Sequence, residues 1–141
     1  MRRTSTGTVL AFDFGERFIG VAVGDAGVRV AHPLAALETR NLKARFQAIG
    51  EFIAEWRPAY LVVGLPLSLD GERHELSRRA ERFARQLEGR FRLPVALVDE
   101  RLTSVEAGAR RQAIGRGGRK HKRLEHPIAA QVILQDHFGN F

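Results

Sequence analysis

The feature that most narrows the fold is Tyr60–Leu65, a run of Tyr-Leu-Val-Val-Gly-Leu with no polar residue in alternation. A strand with one wet face alternates apolar and polar side chains, whereas an unbroken apolar run of strand length belongs to a strand covered on both faces. Helices must therefore flank the sheet on both sides, and the neighbouring segments supply them. Residues 41–56 carry Leu42, Phe46, Ile49, Ile53 and Trp56 at spacings of four, three, four and three, which predicts an amphipathic helix capped by Asn41 and stopped before Pro58. A second helix presents Leu76, Ala80, Phe83, Ala84 and Leu87 on one face, with Gly89 near its end, and residues 95–98 form a short buried strand after Pro94.

Upstream, residues 8–14 read as a strand ended by Gly15, and residues 18–23 as a second after the turn Gly15-Glu16-Arg17. These two pair as an antiparallel hairpin, and a third strand over 28–31 follows the turn Asp25-Ala26-Gly27. Downstream, Thr103 and Glu106 have the spacing of a capping box and predict a helix start. The last helix is expected over 127–138, with Ile128, Val132 and Ile133 facing inward and Pro127 in its first turn. The order βββαβαβαα describes an α/β fold, a five-stranded mixed sheet flanked by helices, and 141 residues fit a single domain over 1–141.

Charge is the next constraint. Residues 110–123 hold seven Lys/Arg and no acid, and without them 16 basic residues stand against 16 acidic ones, so the whole excess of +7 lies in this stretch. Such asymmetry points to a polyanionic partner, although a solvated loop that binds nothing specific has the same composition. Gly115, Gly117 and Gly118 make residues 115–124 a candidate mobile basic loop, and it has no apolar face to insert into a membrane. The chain has no cysteine, which excludes disulfides, thiolate zinc sites and cysteine nucleophiles and is compatible with a reducing cytoplasm. Met1-Arg2-Arg3 is charged like the start of a signal peptide, but Asp13 cuts the apolar stretch that follows. The longest uncharged run, residues 59–69, is far below the roughly 18 residues of a membrane span. A cytoplasmic protein without a membrane partner is expected.

Asp13 is the residue that carries chemistry, because it interrupts the apolar sequence of a central strand. Burying a carboxylate demands a cation, a metal or several donors; the alternative is that Asp13 caps the turn after it. Gly15 would let a phosphate or metal approach the backbone. A second acidic point, Asp99-Glu100, follows the strand 95–98, and in sheets with both faces covered ligands gather at the carboxyl ends of strands. With the two strands parallel and adjacent, Asp13 and Glu100 reach the same edge and suit a hard cation such as magnesium or manganese. Otherwise Asp99-Glu100 is a surface turn bridged to Arg101.

These residues match a family. Ala11-Phe12-Asp13-Phe14-Gly15 with Ile19-Gly20-Val21-Ala22-Val23-Gly24, then Val62-Val63-Gly64-Leu65-Pro66-Leu67 with Asp70-Gly71, then Asp99-Glu100-Arg101-Leu102-Thr103-Ser104-Val105-Glu106-Ala107, and finally Ala129-Ala130 leading to Ile133-Leu134, resemble the YqgF (RuvX) family from end to end. The resemblance implies a ribonuclease H-like fold, related to the RuvC Holliday-junction resolvases. It implies a magnesium- or manganese-dependent nuclease that hydrolyses RNA phosphodiesters in 5′-end maturation of pre-16S rRNA, acting on precursor rRNA or a ribosomal particle. By the same resemblance Asp13 is the first catalytic, metal-binding carboxylate and Glu100 the second. A third acid usually stands just before the alanine pair, where this chain has His126. An imidazole can still ligate manganese or magnesium weakly, and the other reading of His126 is an N-cap before Pro127. Glu125 would point about 100° away around a helix.

The mechanism implied is a two-metal one, with ions bridged by Asp13 and held by Glu100 and His126. Arg17, Arg101, Arg116, Arg119, Lys120, Lys122 and Arg123 would hold phosphates, setting affinity rather than sequence choice. A monomer or weak homodimer is expected. Holliday-junction resolution, with branched DNA as partner, requires a symmetric dimer. A non-catalytic, transcription-associated nucleic-acid-binding factor is the further alternative. The aspartate-glycine hairpin also resembles the phosphate loop of sugar kinases, but those need two such domains.

Overall fold

A computed structural model of the chain describes residues 7–66, 75–99 and 119–139, with the backbone alone for residues 119–125. Its elements are β1 (Thr8–Phe14), β2 (Phe18–Asp25), β3 (Val30–Glu38), α1 (Leu42–Trp56), β4 (Tyr60–Leu65), α2 (Glu75–Phe91), β5 (Val95–Asp99) and α3 (Arg119–His137). The five strands form one sheet in the order β3-β2-β1-β4-β5. β1, β2 and β3 are antiparallel neighbours, while β1, β4 and β5 run parallel. The mixed sheet is as expected, and β1 lies at its centre.

Strand alternation sorts side chains by size. Leu10, Phe12 and Phe14 of β1, Ile19, Val21 and Val23 of β2, and Leu61 and Val63 of β4 pack with Phe46 and Ile49 of α1 and with Ala80, Phe83, Ala84 and Leu87 of α2. Val9, Ala11, Ala22, Ala31 and Val62 face the other way, against Ala130, Ile133, Leu134 and Phe138 in and just beyond α3. Bulky residues thus face two helices and small ones a single helix that approaches closely. Each large side chain taken fully out of water contributes about 1.5–3 kcal/mol. Leu10, Phe12, Leu61 and Phe83 are all essentially inaccessible, so this double core dominates stability.

Local chemistry fixes the helix ends. The Asn41 side chain accepts from the Ala44 N–H at 3.0 Å, the predicted cap of α1. Arg57 ends that helix with φ 47°, donating its N–H to Ile53 O, and the Pro58 after it prevents continuation. Arg92, at φ 56°, ends α2 in the same way, just after Gly89.

Three expectations need correction. The third strand extends from Val30 to Glu38 rather than over 28–31, because β3 is an edge strand and tolerates Pro33 beside a bulge at Val21/Ala22. The last helix starts at Arg119, eight residues before Pro127, so Pro127 lies inside it and His126 is not an N-cap. The basic segment foreseen as a loop over 115–124 is therefore helical from Arg119 onward: its glycines all precede the helix, and Arg, Lys and Leu are good helix formers. The helix expected from Thr103 lies outside the described residues.

Candidate functional site

The carboxyl end of β1 brings the candidate residues together. Asp13 shares its face of the strand with Val9 and Ala11, the face that α3 covers, and is half-buried. Its partners in the sheet are Gly20 on β2 and Gly64 on β4. The carboxylate therefore stands between two residues without side chains. Gly64 pairs in turn with Val98 of β5, and Glu100 follows two positions later in the sequence, outside the described residues.

On the β2 side α3 fills the space. A Cβ at Gly20 would overlap the backbone carbonyl of His126, so only glycine admits the helix at this distance. The His126 ring is tilted 35° to Phe18 with centroids 5.3 Å apart, and its Cε1 lies 3.8 Å from where a Cβ of Gly15 would be. Gly20 pairs with Asp13 and Gly15 directly follows β1, so His126 and Asp13 occupy the same end of the same face. Asp13 and His126, distant in sequence, are brought to one corner by the β1–β2 hairpin and by α3 lying across it.

The turn between those strands is held from several sides. Gly15 N–H donates to Phe18 O at 2.9 Å, Thr39 N–H to Arg17 O at 3.0 Å, and the buried Thr39 hydroxyl to Glu16 O at 2.7 Å. A Cβ at Gly15 would come within 2.7 Å of Phe18 O, so the glycine is explained by this turn rather than by room for a ligand. Arg17 is exposed, its guanidinium 6.0 Å from the Phe18 ring centroid.

Of the other expected residues, Glu100, Arg101 and Arg116 lie outside the described residues, and for Arg119, Lys120, Lys122 and Arg123 only the backbone of α3 is described. Among the described residues no group of three His, Asp or Glu side chains converges on one point. Asp13 and His126 offer an oxygen and a nitrogen donor, chemistry that fits a divalent cation and needs further oxygen ligands to complete a shell. Two features escaped the sequence reading: the glycines flanking Asp13, and Phe18 against His126. The first was visible as the alternation of large and small residues in Ile19-Gly20-Val21-Ala22-Val23-Gly24.

A mixed sheet in this order, with an aspartate at the carboxyl end of its central strand and helices on both faces, is a ribonuclease H-like domain. Thermus thermophilus RuvC bound to a Holliday-junction substrate matches it with a TM-score of 0.57 at 18% identity, over 94% of this chain and 93% of that one. A second RuvC structure from Thermus thermophilus gives 0.53 at 16%, over 93% of each chain. The chain belongs to the RuvX family, whose profile, described as Holliday junction resolvase, matches residues 7–140. Among curated relatives, one from Nitrosomonas europaea is 51% identical over 98% of this chain and 93% of its own length. One from Chromobacterium violaceum is 54% identical over 92% and 95%. Both bear the name "Putative pre-16S rRNA nuclease".

Proposed function

We propose that this protein is a divalent-metal-dependent nuclease that hydrolyses phosphodiesters of RNA in maturation of the 5′ end of pre-16S rRNA. The single observation that carries the reading is the half-buried Asp13 between two glycines at the end of the central strand, with His126 at the same corner. The name shared by close relatives supports the choice of RNA.

Asp13 and His126 would hold magnesium or manganese, with Glu100 as the proposed third ligand. Such ions, when bound, polarise the phosphoryl group and supply a deprotonated water. The chain's own part is positional. Gly20 and Gly64 place no side chains of their own beside Asp13, Phe18 lies against the His126 ring, and the tied turn at residues 15–17 presents Arg17 to a phosphate. Arg101, Arg116 and the basic residues of α3 extend that anion contact along the substrate. A cytoplasmic location follows from the ribosomal substrate, and among the described residues no helix is long and apolar enough to cross a membrane.

Cleavage of a structured precursor RNA with manganese tests this, for the wild type and Asp13→Asn. The wild type should cut, and the variant should lose roughly a hundredfold or more, beyond what loss of an outer-shell partner costs. Equal RNA binding by the two proteins with no cleavage by either overturns the enzyme reading. The family description favours a second reading, resolution of branched DNA. That chemistry requires two sites related by a two-fold axis, so a monomer in gel filtration with junction DNA argues against it.

A further inference from the structure

On the face of the sheet opposite Asp13, three guanidinium groups share one aromatic cluster. Arg45 of α1 is 7% exposed, and its guanidinium carbon lies 5.1, 5.6 and 5.9 Å from the ring centroids of Phe46, Phe83 and Phe14. Arg79 of α2 stands 5.6 Å from the Phe14 ring and Arg90 stands 4.1 Å from Phe46. Among the described residues no carboxylate pairs with any of the three, and the enclosed Nε of Arg45 has no hydrogen-bond partner. Aromatic faces offset part of the cost of burying a cation, but they leave its N–H donors unsatisfied and do nothing to neutralise three like charges. Burial first, then the neighbouring Arg79 and Arg90, hold the Arg45 guanidinium below its ordinary range. An anion on the terminal guanidinium nitrogens, which unlike Nε are not enclosed without a partner, would relieve the repulsion.

We propose that Arg45, Arg79 and Arg90 form a phosphate-binding subsite on the α1/α2 face, separate from the corner of Asp13. Arg45 is its enclosed base, half-buried Arg79 its wall and exposed Arg90 its mouth. A phosphate group matches this donor set because guanidinium forks pair with its oxygens in two-bond contacts. Phe14, which Arg45 and Arg79 both approach, adjoins Asp13 in sequence and faces the opposite side of β1. A nucleic-acid strand rounding the end of the sheet would meet both sites. That the phosphate is a backbone one rests on the nuclease reading; the subsite itself rests on the arginines alone.

The Arg45 Nε–H signal of ¹⁵N-labelled protein, assigned by its disappearance in Arg45→Lys, reports directly on occupancy. Inorganic phosphate, added without metal at constant ionic strength, should move it saturably downfield. The Arg79→Gln/Arg90→Gln double variant should need at least roughly tenfold more phosphate, as expected when one or more charge-assisted hydrogen bonds are removed. A signal that phosphate leaves unmoved overturns the proposal. So does an unchanged midpoint in the double variant. Adding a short RNA then separates the sources: competition with phosphate marks a backbone subsite, and retention of phosphate marks a site for the free anion. The phosphate titration involves neither metal nor cleavage, so its result stands apart from any failure of the nuclease reading.

Discussion

A single methyl group at residue 20 would collide with the His126 carbonyl, so the seating of α3 on the sheet depends on one missing side chain. Gly20→Ala should destabilise the fold by about 1–3 kcal/mol, the cost of overpacking a filled space, measured as a lower urea midpoint with unchanged slope. An alanine accepted without loss would mean the helix does not rest there. At His126 the question is chemical: the imidazole lies against Phe18 at the same corner as Asp13. His126→Ala should lower RNA cleavage roughly tenfold or more, as metal-site substitutions do, while His126→Asp, which restores an oxygen donor, should keep activity. Equal activity of His126→Ala and wild type would remove the residue from the site. Asp13 stood out in the sequence because a carboxylate in an apolar strand is costly; Gly20 did not, because its reason lies a hundred residues away.

Among the elements, α3 ties the most distant parts of the fold. Gln131 Nε2 donates to Ala31 O at 2.9 Å, while Gln135 accepts from Ala31 N–H at 3.1 Å and donates to Arg29 O at 2.7 Å. These side chains occupy backbone groups at the start of the edge strand β3 and limit pairing with foreign strands. At the far end of the helix, His137 Nε2 lies 2.8 Å from the Tyr60 hydroxyl. Burial raises the phenol above its ordinary range, so it keeps its proton, and the direction of the bond follows the imidazole tautomer. Burial lowers His137, with Asp136 opposing it in part. Since the unfolded chain takes up a proton near pH 6.5 and the folded one only at lower pH, this residue's contribution is present above about 6.5 and is lost as pH falls through that window. Thermal unfolding followed from about pH 7.5 down to 5 should show the decline, and His137→Gln should flatten it. A variant with the same slope would assign the pH dependence to other groups.

At the scale of the whole molecule, the excess positive charge lies in one stretch that ends in α3, the helix carrying His126. On the proposed function, a polyanion drawn to the part of it in α3 would reach the helix segment next to His126. Neutralising Arg119, Lys120, Lys122 and Arg123 together should flatten the dependence of RNA affinity on salt by roughly one unit of log–log slope for each phosphate no longer neutralised. A slope that ignores these changes would show that the stretch is not a binding element.

The sequence by itself determined the class of fold, because an apolar run covered on both faces, amphipathic helices at spacings of three and four, and caps such as Asn41 are local signals with local causes. It also singled out Asp13 and His126, through the cost of burying a carboxylate and the position of a family motif. Tertiary structure alone decided that the two share a corner, since their proximity depends on strand order and on the closeness that Gly20 grants to α3. It decided too that Pro127 lies inside a helix and that β3 continues past Pro33, because packing against β1, β2 and β3 and an edge position override local preference. The cluster of Arg45, Arg79 and Arg90 belongs with these: each arginine reads alone as a charge on a helix, and only the packing of α1 and α2 on one face of the sheet brings the three to one group of phenylalanines.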